Sequence, residues 1–346
     1  MKKLKIGMVA EHIIGYNLDG AHLQLLRLFE GLKRKGIDVE LFDMWRCREK
    51  KYSFFHLFGI NYSLERFTSI ISSYKIPYIV SPNSWPGHSW WLQRVLAGIK
   101  LPRGILFSRR SLERDILLGA KKIIVNSKGE IDRLSLVYGI QKTKFVFIPN
   151  AVDSQFQFGD PEIFRKKFSL PKRFVLSVSY VGQPGKNHLR LIRCWNRNFP
   201  TLVLVGPIAP GKYSENCKTE ANRLGNVVFT GRIQHESALL KSAYKGCSAF
   251  VLPSLAETTG IAALEAAISG APVVITERGG TREYFDNKAF YCNPFKSESI
   301  LTAVKQALNA GRDENRGQYF AHKYNWDNVI PMLLNIYHEV MGSIDE

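Results

Sequence analysis

The sequence predicts an α/β protein built from two doubly wound domains, each around a parallel sheet. Three observations carry that prediction. Short apolar runs alternate with longer stretches of helical periodicity along the whole chain. The alternation breaks near residue 150 and then restarts. A length of 346 residues with 45% hydrophobic content and scattered charge suits two packed domains of ordinary size.

In the first half, Lys5 to Ala10 reads as a buried strand, basic at its start and too short for a secretory segment before Glu11 and His12 interrupt it. Leu18-Asp19-Gly20-Ala21-His22 leads into a helix with Leu23, Leu26, Phe29 and Leu32 on one face, ending near Gly36. Val39–Phe42 is a second strand. Tyr78-Ile79-Val80 is a third, followed by a loop with Trp85, Pro86, Gly87 and His88. Lys122–Ser127 is another strand with a helix after it, and Phe145–Asn150 closes the half. Residues 1–150 therefore form one domain.

Residues 151–325 form the second. Phe174–Val178 and Leu202–Gly206 are strands, and Asn226–Gly231 is a short strand and turn. A helix runs from about Glu236 to Tyr244. Ala249–Leu252 is a strand, Ile261–Ala267 falls on an Ala-rich helix, and Ala271–Ile275 is a further buried strand. Residues 326–346 carry a last helix, Trp326 to Val340, in which Pro331 should introduce a kink or mark the true start.

Bulk properties narrow the function. No apolar run approaches the roughly 18–20 residues that span a bilayer. The five cysteines are an odd number without C-x-x-C spacing, which points to a reducing compartment and no zinc site. The formal net charge is +18, and residues 1–150 hold 25 Lys and Arg against 12 Asp and Glu. Such a surface attracts phosphate-rich partners, an anionic membrane or a nucleic acid. Lys51–Phe58 and Trp90–Arg94 mix aromatic residues with cations, with Arg103, Arg109, Arg110 and Arg114 close by. That mixture suits a membrane interface or stacked nucleic acid if the aromatics are outside, and an ordinary core if they are inside.

The most specific signal is the run from Pro253 to Ala267. Glu257 and Glu265 stand eight positions apart, the first before the turn Thr258-Thr259-Gly260 and the second two turns into a helix. A strand, a glycine-containing turn and a helix in that order present free N–H groups and a positive dipole end, which suit a diphosphate. Glu257 is then placed to accept hydrogen bonds from sugar hydroxyls, and Glu265 to hold a ribose diol. The plain alternative is two ordinary helix-face charges.

This block resembles the donor-binding signature of the retaining glycosyltransferases of family 4, which have the GT-B fold. Three further segments are similar to that family in the right order. Ile148–Asp153 resembles its interdomain segment, Val228–Ile233 its nucleobase-binding strand and loop, and Gly279–Glu283 a later turn. The resemblance implies two Rossmann-like domains facing a central cleft, the N-terminal one for the acceptor and the C-terminal one for a nucleoside diphosphate-sugar donor of UDP or GDP type. It also implies that the last helix returns to the N-terminal domain.

By the same resemblance, Lys186 in Gly182–Asn187 contacts the leaving phosphates, and backbone amides of Thr259, Gly260 and Ile261 hold the distal phosphate. Glu257 binds the donor sugar, Glu265 the ribose, and backbone groups of Arg232 and Ile233 the base. His88 is the candidate for a histidine near the donor sugar, with Ser108 as its rival. Gly20 allows close approach of a phosphate at the first strand–helix turn, with Gly15 as its rival. No Asp-x-Asp occurs, and a lysine with a helix dipole can replace a cation, so the expectation is a metal-independent enzyme with no cofactor. Tyr180 departs from the family, standing at or near the place of an arginine that would also contact the phosphates.

The reading is a retaining hexosyltransferase, cytoplasmic, with attachment to a membrane surface left open. Two rivals stay beside it. One is a nucleic-acid-binding or DNA-glycosylating GT-B protein, resting on charge; the other is a non-catalytic nucleotide-sugar binder, resting on Tyr180.

Overall fold

The structure is a computed structural model and describes residues 5–10, 20–43, 51–83, 90–98 and 109–345. The chain divides into two compact units. One comprises Met1–Ala151 with Trp326–Glu346, the other Val152–Asn325.

The first unit holds six parallel strands: β1 (Lys5–Ala10), β2 (Asp38–Leu41), β3 (Phe54–Phe58), β4 (Tyr78–Ser81), β5 (Ile123–Val125) and β6 (Phe145–Phe147). Their spatial order is β2-β1-β3-β4-β5-β6. Helices cover both faces, so the strands are apolar on both sides. On one face the helix Trp326–Asp345 contributes Trp326, Val329, Ile330, Leu333 and Tyr337 to a core with Ile6, Met8, Leu25 and Phe54. That helix begins at Trp326 and runs through Pro331, so the proline does not mark its start.

β3 decides between the two readings of Lys51–Phe58, surface and core, in favour of core for its aromatics. All five residues of Phe54-Phe55-His56-Leu57-Phe58 are buried, and Tyr52 is buried beside them. A strand covered on both faces needs an unbroken apolar run, and here aromatics supply it. His56 is the polar exception. Its Nδ1 lies 2.7 Å from the Tyr337 hydroxyl and its Nε2 2.9 Å from Ser81 Oγ. Burial drives its pKa down to about 3, so it is neutral in the folded protein. The side chains of Trp90 and Trp91 lie outside the described residues.

The second unit holds β7 (Phe174–Val178), β8 (Thr201–Val205), β9 (Val227–Gly231), β10 (Ala249–Leu252), β11 (Val273–Thr276) and β12 (Phe290–Cys292), again all parallel. Their order is β12-β11-β10-β7-β8-β9. The connections reverse direction between β7 and β10, and a crevice opens outside the carboxyl ends of strands at such a switch point. The helix after β9 spans Ala238–Gly246, capped by Ser237 Oγ accepting from the Leu240 amide. It begins two residues later than its periodicity suggests, because the serine draws the chain out of helix before it.

Candidate functional site

The two loops that leave β7 and β10 meet at the switch point of the second sheet. After β7 the chain turns at Gly182 (φ 84°), where a Cβ would lie 2.6 Å from Ser214 Cβ. A single 3-10 turn, Pro184–Lys186, then ends at Asn187 in the left-handed region (φ 61°, ψ 25°). Asparagine tolerates that conformation, and here its buried Nδ2 donates to Pro253 O (3.1 Å) and Pro294 O (2.7 Å). The Leu255 amide donates to Gly185 O at 2.8 Å. These bonds tie the lysine loop to the loop after β10.

The tie brings Lys186 and Glu257 together across 71 residues of sequence, with Nζ 2.7 Å from Oε1. Glu257 is fixed through its backbone. Its amide donates to Arg278 O (3.1 Å), and its carbonyl accepts from the Gly280 amide (3.0 Å). Between them Gly279 (φ 103°) passes so close that a Cβ there would lie 1.9 Å from Glu257 O. Only glycine fits that approach. The side chain of Glu257 is 12% exposed and that of Lys186 29%, so both reach solvent at the crevice. Beneath them His188 is buried, 3.0 Å from Ser179 Oγ through Nε2. Burial, with the Lys186 charge adding to it, holds the His188 pKa near 3.

The helix Ile261–Ile268 starts directly after this loop. Gly260 caps it at φ 79° and ψ 66°, with no side-chain cap, and a Cβ there would lie 2.9 Å from Ile275 Cδ1. Thr259 is buried, and Gly260 O accepts from the Ala263 and Leu264 amides. The helix therefore opens on backbone N–H groups and a positive dipole end beside the Lys186–Glu257 pair.

Glu265 lies on the same helix and is 3% exposed. Its Oε1 is 2.6 Å from His235 Nε2, and its Oε2 accepts from the Tyr244 hydroxyl at 2.6 Å. Tyr244 is fully buried, and burial together with the Glu265 charge raises its pKa well above the ordinary value, so it remains a donor. A carboxylate offers about four lone-pair directions, so two donors leave acceptor capacity for a diol. His235 packs edge-on against Phe156, ring centres 5.1 Å apart. Neither His235 nor Tyr244 stands out in the sequence. Tyr244 reads as a core aromatic, and a single histidine in a loop carries no signal of the carboxylate it meets 30 residues on.

Arg232, exposed, and Ile233, half-buried, follow β9 after Gly231 (φ 73°), and the same loop reaches His235 and so Glu265. Tyr180 is half-buried in the loop after β7. Gly20 opens the helix Gly20–Arg34 in the first unit. His88, Ser108 and Gly15 lie outside the described residues. Among the described residues no group of three or more His, Cys, Asp or Glu is placed to hold a metal ion, and no helix is long and apolar enough to cross a membrane. The arrangement in the second unit offers cation and helix dipole for a diphosphate, a carboxylate beside them for hydroxyls, and a second carboxylate for a diol.

Residues 160–324 match the sequence model described as "Glycosyl transferases group 1". An uncharacterized glycosyltransferase of Methanocaldococcus jannaschii is 30% identical over 159 residues, 42% of this chain and 40% of that protein. The D-inositol 3-phosphate glycosyltransferase of Acidothermus cellulolyticus is 25% identical over 253 residues, 67% of this chain and 56% of that protein. The O-antigen chain mannosyltransferase RfbU of Salmonella typhimurium shares 21% over 62% and 59%. The chain thus spans between 40% and 59% of the length of these curated relatives. Among solved structures, sucrose-phosphate synthase from Thermosynechococcus elongatus superposes with a TM-score of 0.76 at 16% identity, covering 98% of this chain and 100% of that one. Anabaena HepE in complex with UDP gives 0.73 at 17% identity, covering 97% and 100%. The fold is GT-B, and the resemblance to glycosyltransferases is carried by residues 160–324.

Proposed function

We propose that the chain, whose residues 160–324 match the group 1 glycosyl transferase model, is a retaining, metal-independent glycosyltransferase. It moves a hexose-type sugar from a nucleoside diphosphate-sugar to an acceptor hydroxyl. The observation that carries this reading is the Lys186–Glu257 pair, 2.7 Å apart at the switch point of the second sheet and beside a helix N-terminus. The UDP and UDP-glucose complexes of Anabaena HepE, a structural neighbour, support the donor class.

In this reading the donor diphosphate lies over Lys186 and the first turn of Ile261–Ile268. Charge that builds on the leaving oxygen meets the ammonium and oriented N–H groups, which need no reorganisation when the bond breaks. Glu257 accepts from donor-sugar hydroxyls, and its fixed backbone holds the sugar against the diphosphate. The acceptor hydroxyl attacks from the face the diphosphate leaves, and the departing phosphate oxygen takes its proton. Lys186 ends paired with the released diphosphate.

A second reading, a binder without turnover, has one observation in its favour: Tyr180 stands where a second phosphate-contacting cation is expected. A melting-temperature screen against UDP, GDP, ADP, dTDP and their common sugar conjugates tests the donor class, because a ligand of the folded state alone raises its stability. Sugar release or transfer in the presence of EDTA, with the donor's anomeric configuration kept in the product, supports the enzyme. Binding without transfer or hydrolysis supports the binder. No shift with any nucleotide overturns both.

A further inference from the structure

We infer that His235 is a positioning residue for nucleotide recognition, locking the loop after β9 to Glu265 so that base and ribose are gripped as one rigid pair. The inference rests on the nucleotide-binding reading above and extends it to a residue outside the family signature. Its basis is a hydrogen-bond arrangement with few alternatives. Glu265 is 3% exposed, so its carboxylate needs partners inside the protein. One oxygen takes the Tyr244 hydroxyl from the helix Ala238–Gly246, and the other takes His235 Nε2 from the loop before that helix.

A carboxylate only accepts, so His235 carries its hydrogen on Nε2 whether the ring is neutral or protonated. Phe156 holds the ring edge-on at 5.1 Å, and the same Phe156 meets the Tyr244 ring at 5.4 Å. The donors to both carboxylate oxygens therefore share one apolar support. Tyr244 has a fully buried ring, whereas the His235 side chain is 28% exposed and reaches the mouth of the site. His235 is thus the adjustable member of the pair.

The loop matters as much as the bond. It leaves β9 through Gly231 at φ 73°, and Arg232 and Ile233 lie three and two positions before His235. Glycine permits that left-handed exit, and the Gly231 carbonyl stays in the sheet, accepting from the Gly206 amide at 3.0 Å. The histidine-to-glutamate bond, 2.6 Å long, is the side-chain tie from the loop to the helix Ile261–Ile268. With it, the backbone groups at Arg232 and Ile233 and the remaining lone pairs of Glu265 keep a fixed spacing. Without it, Glu265 keeps the Tyr244 hydroxyl, and the base loop keeps the packing of Ile233 on the core but loses its hydrogen bond to Glu265.

The test compares His235→Ala and His235→Gln with the unaltered protein. The probes are the best-binding nucleotide among UDP, GDP, ADP and dTDP, and its ribo or 2′-deoxy counterpart, each titrated by calorimetry. If His235 acts through Glu265, His235→Ala weakens the ribonucleotide by about tenfold or more, the size of a lost hydrogen bond to a charged group. The 2′-deoxynucleotide, which lacks one hydroxyl of the diol, loses less than about threefold. His235→Gln, whose Nε2 donor can take the place of the imidazole Nε2–H, restores most of the difference. Equal losses for both sugars, or no rescue by glutamine, overturn the inference and leave the donor site standing. An unaltered protein that binds no nucleotide overturns the donor reading and this inference together. If His235→Ala does not fold, His235→Asn takes its place in the same comparison, because its Nδ2 stands where the imidazole Nδ1 was and falls short of Glu265.

Discussion

Replacing Tyr244 by phenylalanine isolates one hydrogen bond in the buried Glu265 cluster. The ring stays, with its contacts to Phe156 (5.4 Å) and Phe250 (6.0 Å), so no cavity of side-chain size opens. What goes is a 2.6 Å donor to Glu265 Oε2. Tyr244 is fully buried, so water cannot replace its hydroxyl without opening the core. A hydrogen bond to a charged group contributes about 1.5–3 kcal/mol, against about 1 kcal/mol for a neutral pair. Tyr324→Phe supplies the weaker comparison, because that hydroxyl donates to a neutral acceptor, the backbone carbonyl of Tyr284 at 3.0 Å, and its charged neighbour Lys323 is solvent-exposed. For a unit the size of Val152–Asn325, each kcal/mol shifts the melting temperature by roughly 2–4 °C. Tyr244→Phe should therefore lower it by about 3–12 °C and Tyr324→Phe by about 2–4 °C. Urea denaturation followed by circular dichroism gives the same comparison as free energies. A Tyr244→Phe loss no larger than that of Tyr324→Phe would refute the argument that Glu265 is a buried charge dependent on its two donors.

Three further outcomes follow from the geometry. Lys186→Ala should cost about 1.5–3 kcal/mol, or some 10- to 150-fold, in affinity for a nucleoside diphosphate, with a smaller loss for the nucleoside monophosphate; calorimetry with equal losses for the two would remove the lysine from the distal phosphate. Gly279→Ala, whose Cβ would lie 1.9 Å from Glu257 O, should destabilise by about 1–3 kcal/mol and weaken donor binding with it, and an unchanged melting temperature would contradict the close approach. His56 and His188 are neutral when folded, with pKa values near 3, while an unfolded histidine takes up its proton near pH 6.5. Stability from each is complete above pH 6.5 and falls as pH drops toward 3, by about 2 kcal/mol each at pH 5. Melting scans at pH 7 and pH 5 check this, and a His188→Gln variant should lose less on acidification than the unaltered protein.

The sequence by itself determined the architecture and the chemical core of the donor site. Period-2 and unbroken apolar runs mark strands wherever sheet burial is strong, as at Phe174–Val178 and Val273–Thr276. The local order strand, glycine turn, helix places Glu257, Gly260 and Glu265 relative to one another, because those positions lie within one supersecondary unit. Tertiary structure decided what sequence distance hides. Lys186 meets Glu257 because two crossovers bring the ends of β7 and β10 side by side. His235 and Tyr244 converge on Glu265 from another loop and helix, and no local pattern announces a contact that exists only after the sheet has formed. The run Phe54–Phe58 makes the same point in reverse. Its composition fits an interface or a core equally well, and only helices packed on both faces of β3 settle that water never reaches it.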